Sequence, residues 1–204
     1  MAKSKQPVKS PGPAVAWDEH HFLNRDLALD FANTVVYRHV PGRRDDRLTD
    51  RRAVERWALA SGRAVRLSRH ARLGEAIRIR EAIDGFFRHA ALRGMPDAAL
   101  WRRLVALYLR HGVLVPGEPI TPSAPPTADL FAALLLAALE TTFSPQMRRI
   151  KVCPSCGWLF IDRTRNGRKR WCIPSLCGNR ARARRFYERR TAKRRGSDLT
   201  RGAR

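Results

Sequence analysis

Four cysteines lie in the last quarter of the 204-residue chain, as Cys153-Pro-Ser-Cys156 and Cys172-Ile-Pro-Ser-Leu-Cys177, inside its most arginine-rich stretch. The fifteen residues 157–171 separate the pairs, a spacing that can gather four thiolates round one tetrahedral ion. No His follows His111, so the local ligand set is four sulfurs, which favour zinc, or less often iron, over hard cations. A closed four-ligand site has no open position for a substrate water. The expected cofactor is therefore one structural Zn2+ held by Cys153, Cys156, Cys172 and Cys177, and metal-assisted hydrolysis is disfavoured. The competing readings are two disulfides or a redox-active Cys-x-x-Cys. Residues 1–16 carry Lys3, Lys5, Lys9 and prolines but no apolar signal segment, which points to a reducing compartment where disulfides are rare.

Charge is the second constraint. Residues 151–204 hold 17 Lys+Arg against 3 Asp+Glu, of a net +23 for the whole chain. Compositional bias towards Arg would spread the excess evenly, whereas a basic field concentrated on the cysteine module attracts polyanions and binds them in a salt-dependent way. The longest apolar run, Leu130 to Leu139, is ten residues, too short to span a bilayer, so no membrane association is expected.

Along the chain, residues 1–16 read as a disordered basic tail and 17–147 as a helical domain. Helical periodicity runs from Phe22 to Tyr37. Thr49 is the expected cap of a helix through Trp57 and Leu59, and Ser68 that of a long helix ending at Gly94. Asp97 caps another helix, and Thr127 a strongly apolar one from Leu130 to Phe143, read as the centre of the bundle ahead of a dimer contact. The five prolines of 113–127 allow a short strand or hairpin but no helix. His20 and His21 read as surface.

Residues 148–195 read as a small α+β module. Ile150–Cys153 and Trp158–Ile161 form a two-stranded hairpin whose turn presents two sulfurs. The loop 163–170 offers Arg163, Arg165, Arg168, Lys169 and Arg170 to phosphates, and Trp158, Phe160 and Trp171 supply a small apolar core. A helix over 178–195 then carries Ala183, Phe186 and Tyr187 on the side docked against the zinc core. Arg180, Arg182, Arg184, Arg185 and Arg189 lie on its flanks, and residues 196–204 form a tail. Such a helix has the dimensions to enter a major groove, where Arg reads guanine and Asn adenine. Asn179 and Arg180 either read bases or brace the zinc loop.

At these residues the chain resembles the CGNR zinc-finger proteins, named for the run that stands here as Cys177-Gly178-Asn179-Arg180. The wider pattern agrees: Cys153-x-x-Cys156, Phe160-x-Asp162-x-Thr164-x-Asn166 and Arg168-x-Arg170-Trp171-Cys172. Residues Leu27-x-Leu29-Asp30-Phe31-x-Asn33-Thr34 resemble the ABATE domain that accompanies this finger, so the likeness covers 18–190. It implies a bacterial, stress-related transcription regulator with a mainly helical N-terminal domain and a DNA-binding finger. The chain departs from the pattern at Ile173-Pro174 and at Arg182. Asp30 and Asn33 share one helical face and offer either a small-molecule sensor site or, the favoured reading, a buried hydrogen-bond set that fixes packing.

The fold class expected is thus mainly α: a helical N-terminal domain, then a small α+β four-cysteine zinc finger made of a two-stranded hairpin and a C-terminal helix. The function expected is a DNA-binding regulator, cytoplasmic and nucleoid-associated, whose partner is double-stranded DNA. Its helical domain senses a small-molecule effector or assembles as a homodimer. The alternative is a non-specific binder of DNA or structured RNA, and a third is an interaction module for an acidic protein. No glycine-rich phosphate loop, Gly-x-Ser-x-Gly or His-Glu-x-x-His occurs, so no enzyme is expected.

Overall fold

The computed structural model describes residues 16–40, 42–111 and 128–201. The chain is mainly α, with a helical N-terminal part followed by a hairpin, a four-cysteine cluster and a C-terminal helix.

The first expected helix is broken up. A 3-10 turn, Glu19–Phe22, leads to the short α1, Leu27–Ala32. Asp26 fixes its start: the residue is extended, and its side chain accepts the Leu29 N–H at 2.9 Å. This is the capping that makes Asp favour a helix end over its middle. Arg25 just before it is left-handed, φ 53. Past Asn33 the β-branched pair Val35–Val36 forms β1, antiparallel to β2, Asp45–Asp46, which lies within the charged run 43–47. Arg80, fully buried, grips Asp46 through both terminal nitrogens at 2.6 and 2.7 Å and ties β2 to the bundle.

Two helix starts fall after the expected caps. Helix α2, Arg51–Ala60, is capped by Asp50 rather than Thr49, and α3, Leu73–Arg93, begins after Arg72 rather than at Ser68. Between them, β3, Val65–Arg66, pairs in parallel with β4, Ala128–Asp129. The end of α3 at Gly94 is as expected, with φ 77 in the left-handed conformation that glycine adopts without penalty. Asp97 caps α4, Ala98–Arg110. Asp129, not Thr127, caps α5, Leu130–Phe143; Thr127 and the proline-rich 113–127 lie outside the described residues.

Helix α5 is the core helix that its apolar circumference suggests. Leu130, Leu134, Leu135 and Ala138 are fully buried against α1, α3 and α4. Thr141 at its far end donates its hydroxyl to Asp26, so the residue that caps α1 also fastens it to α5.

The hairpin joins this core. Strand β5, Ile150–Val152, pairs antiparallel with β6, Leu159–Ile161. Successive strand residues face opposite sides. Ile150, Leu159 and Ile161 therefore enter the main core, while Trp158 and Phe160 face the cysteines. The finger is thus continuous with the helical domain. Leu23, Val36 and Tyr37 of that domain pack in return into the cluster round the sulfurs.

Helix α6, Asn179–Arg201, runs past the end expected at 195. Gly196 inside it costs a helix only about 1 kcal/mol relative to Ala, too little to stop one by itself. The expected docking of its aromatic stripe is not found. Phe186 and Tyr187 are 50% and 67% exposed, while the hairpin face that carries Trp158 and Phe160 is already covered by the cysteines, Leu23, Val36 and Tyr37. Residues 1–15 and 202–204 lie outside the described residues.

Candidate zinc centre and basic face

The cysteines arrive from two directions. The first pair sits in the turn between β5 and β6, where Gly157, φ 80, closes the turn by donating its N–H to the Cys153 carbonyl at 2.8 Å. Cys177 is brought back towards Cys172 by a helical turn, Pro174–Gly178, its N–H bonded to the Ile173 carbonyl at 2.8 Å. Gly178 packs closely on the Trp171 indole, which a Cβ there would approach to 3.2 Å, so the ring would have to give by a few tenths of an ångström to admit a larger residue.

All four sulfurs lie within 4.8 Å of one another and are buried. The separations Cys156–Cys172 and Cys172–Cys177 are 3.5 and 3.6 Å, and all four cysteines are free. A disulfide requires about 2.05 Å. A tetrahedron with metal–sulfur bonds of about 2.3 Å has edges of about 3.8 Å, close to what is seen. The disulfide reading is thereby set aside. The cluster is a four-cysteine site for one structural Zn2+.

The basic loop that follows is folded round two residues whose part the sequence did not reveal. Asp162 is fully buried. Its Oδ1 accepts the Thr164 N–H and hydroxyl at 3.0 and 2.5 Å, and its Oδ2 accepts Lys151 Nζ at 2.7 Å and the Lys169 N–H at 2.9 Å. Burial alone would raise its pKa. The Lys151 ammonium and these donors outweigh burial and hold the carboxyl well below the usual carboxylate range. Lys151 also donates to the carbonyls of Gly167 and Lys169, so it anchors the loop from inside. The Asp-x-Thr spacing at 162–164 is the sequence signal for this turn.

The candidate phosphate contacts divide accordingly. Arg165, Arg168 and Arg170 are exposed, with Arg170 over the Trp171 ring at 5.0 Å. Arg163 is engaged with the Asn24 carbonyl at 2.5 Å, and Lys169, half-buried, lies 5.6 Å from the Phe160 ring. On α6, Asn179, Arg180, Arg182, Arg184, Arg185 and Arg189 are all exposed. Arg182 donates to the Asn179 side chain, and Arg184 pairs with Glu188 at 2.8 Å. Arg180 reaches the Tyr37 hydroxyl at 3.0 Å, a partner in the helical domain that neither expected role foresaw.

Asp30 and Asn33 are buried, 2% and 3% exposed. Asn33 donates to the Leu159 carbonyl at 2.9 Å and accepts its N–H at 2.8 Å. Asp30 accepts the Asn24 N–H and amide at 3.1 and 2.9 Å, and Asn24 in turn accepts the Ile161 N–H at 3.0 Å. These contacts make Asp30 and Asn33 members of a buried hydrogen-bond set. The packing they fix is the seam between helical domain and finger. His21, read as surface, is half-buried beside Trp17, Trp158 and Arg47.

Two family models match. One, described as "Putative stress-induced transcription regulator", covers residues 25–145; the other, the CGNR zinc finger, covers 149–190. The chain belongs to the ABATE family. Its ABATE region ends just before β5, and its CGNR region holds all four sulfurs. Comparisons with curated proteins and with solved structures each found no match. No helix among the described residues is long and apolar enough to cross a membrane.

Proposed function

We propose that this ABATE-family protein is a DNA-binding transcription regulator that contacts double-stranded DNA through its zinc-fixed C-terminal finger. The single observation that carries the reading is the array of exposed arginines from Arg180 to Arg190 on α6, a helix that starts two residues after Cys177, the last of the buried zinc ligands. A helix anchored at one end by a metal and lined with exposed arginines has the form of a groove-reading element. Arg165, Arg168 and Arg170 add phosphate contacts from the loop. The helical domain takes the regulatory part, receiving an effector or mediating assembly as a homodimer, and the protein acts in the cytoplasm at the nucleoid. The regulator description of the matched family supports this part, and both matched families argue for a role without catalysis.

A second reading, a non-specific binder of DNA or structured RNA, draws on the same arginines, which surround α6 with one uncharged reading group, Asn179, near its start. Anisotropy titrations of labelled duplexes over a range of salt separate the two. A sequence-specific regulator keeps a preference between duplexes at moderate salt, and Asn179→Ala erodes that preference with zinc retained. Equal affinity for all duplexes, with a steep salt slope, favours the second reading.

A further inference from the structure

Between the finger and the helical domain lies an open cleft of about 580 Å3. The N-terminal half of α6 contributes Arg180, Arg184 and Arg185, the finger contributes Arg170 with Trp171, and the helical domain contributes Tyr37 and Arg43. Of these five arginines, only Arg184 forms an ion pair among the described residues, with Glu188. The cleft's one carboxylate, Glu188, is taken by Arg184, so the other four guanidinium groups leave a concentrated positive charge that attracts an anion. Planar guanidinium forks match phosphate oxygens in particular.

Tyr37 organises the helical domain's side. It is a bulky residue in the left-handed conformation, φ 52, which costs energy and persists only where its surroundings enforce it. The enforcing contact is with the zinc turn, since the Tyr37 N–H donates to the Cys156 carbonyl at 2.9 Å. Held there, its hydroxyl accepts from Arg180 at 3.0 Å, and the Arg43 guanidinium stacks on its ring 4.1 Å from the centroid. One strained residue thus aims an arginine from each domain into the same opening.

We propose that Tyr37 and Arg43 complete the finger's polyanion site, so that a phosphate of the nucleic-acid backbone sits in this cleft and touches both domains. The proposal rests on the DNA-binding reading and extends it: the helical domain is part of the interface as well as its regulator. A continuous strand is favoured over a free phosphate because the charge does not end at the cleft. Exposed arginines continue along α6 at Arg189 and along the finger loop at Arg165 and Arg168.

The test is a salt series of duplex titrations on the full-length, zinc-loaded protein, with zinc content and thermal unfolding recorded for every variant. Arg43→Ala weakens binding about tenfold and lowers the slope of log K against log salt by about 1, the loss of one phosphate contact. Arg43→Lys restores the slope, because the charge returns. Tyr37→Phe keeps the ring under Arg43 but frees Arg180, and weakens binding severalfold. Arg93→Ala, an exposed basic residue outside the cleft, changes neither quantity. If Arg43→Ala matches Arg93→Ala while Arg185→Ala weakens binding, the interface belongs to the finger alone; the proposal falls and the DNA-binding reading stands. If the unsubstituted protein binds no duplex, both fall. Arg43-dependent binding of inorganic pyrophosphate, with duplex affinity unmoved by Arg43→Ala, would reassign the cleft to a free phosphate ligand and overturn the proposal.

Discussion

Asn33 pairs with Leu159 through two hydrogen bonds, 2.9 Å to its carbonyl and 2.8 Å from its N–H, so one side chain does for strand β6 what a neighbouring strand would do. The residue at the end of α1 thereby holds the finger to the helical domain. Asn33→Ala leaves the buried Leu159 N–H without a partner, while its carbonyl keeps Asn24 at 3.2 Å. A loss of about 1–3 kcal/mol is expected from the orphaned donor. Urea denaturation measures it, and a change below about 0.5 kcal/mol would mean that the seam does not depend on this pair.

Zinc supports more than the finger. Leu23 and Val36 of the helical domain pack into the cluster round the sulfurs, and Leu159 and Ile161 of the hairpin enter the main core. Structural zinc contributes about 10–16 kcal/mol in finger peptides, the size of a whole domain's stability. Chelation, or Cys177→Ser, is expected to lower one common unfolding transition seen by helical circular dichroism. A helical transition untouched by metal removal would show that the two parts are energetically independent.

Two buried carboxyls give stability opposite pH dependences. Burial pushes Asp30 up to about 7, against the hydrogen bonds from Asn24 and with Asp26 adding repulsion. Between its ordinary value of 3.8 and about 7, the folded protein keeps a proton that the unfolded chain has released, so this group's contribution falls as pH rises through that window. Asp162 is held low, so its contribution is complete above 3.8 and is lost as pH falls below it. Asp30→Asn keeps the acceptor for Asn24 and should flatten the loss from about pH 4 to 7 in denaturation midpoints taken across that range. An unchanged slope would contradict the assignment.

The aromatic residues of the finger and of α6 differ in weight. Phe160 is fully buried, and its replacement by Ala should cost about 3–5 kcal/mol. Phe186 is half exposed, and Phe186→Ala should change stability by less than about 0.5 kcal/mol. Denaturant titration of the two variants side by side distinguishes this arrangement from one in which α6 folds back on the zinc core.

The zinc ligands and the hairpin were legible because metal spacing and strand alternation are local rules, and Cys153 to Cys177 obey both. Helix ends were less so. Asp26, Asp50 and Asp129 are the caps, where periodicity and residue type pointed to starts at Phe22, Thr49 and Thr127, since several polar residues near each end can cap and only packing chooses. The seam was hidden for a different reason: Asn24 and Leu159 stand 135 residues apart, and nothing local marks them as partners. Asp30 and Asn33 showed in the sequence as a polar pair on an apolar helix, but what they satisfy lies across the molecule. The docking of Phe186 failed because helical periodicity reveals a stripe without revealing whether a surface is left to cover it.

Recognition of particular DNA sequences by the zinc-anchored finger is tested by incubating zinc-loaded protein with sheared genomic DNA and excess competitor at moderate salt, then sequencing the retained fragments. Enrichment of a short shared motif, lost when zinc is removed, is the expected result. Uniform recovery of fragments, or none, would contradict it.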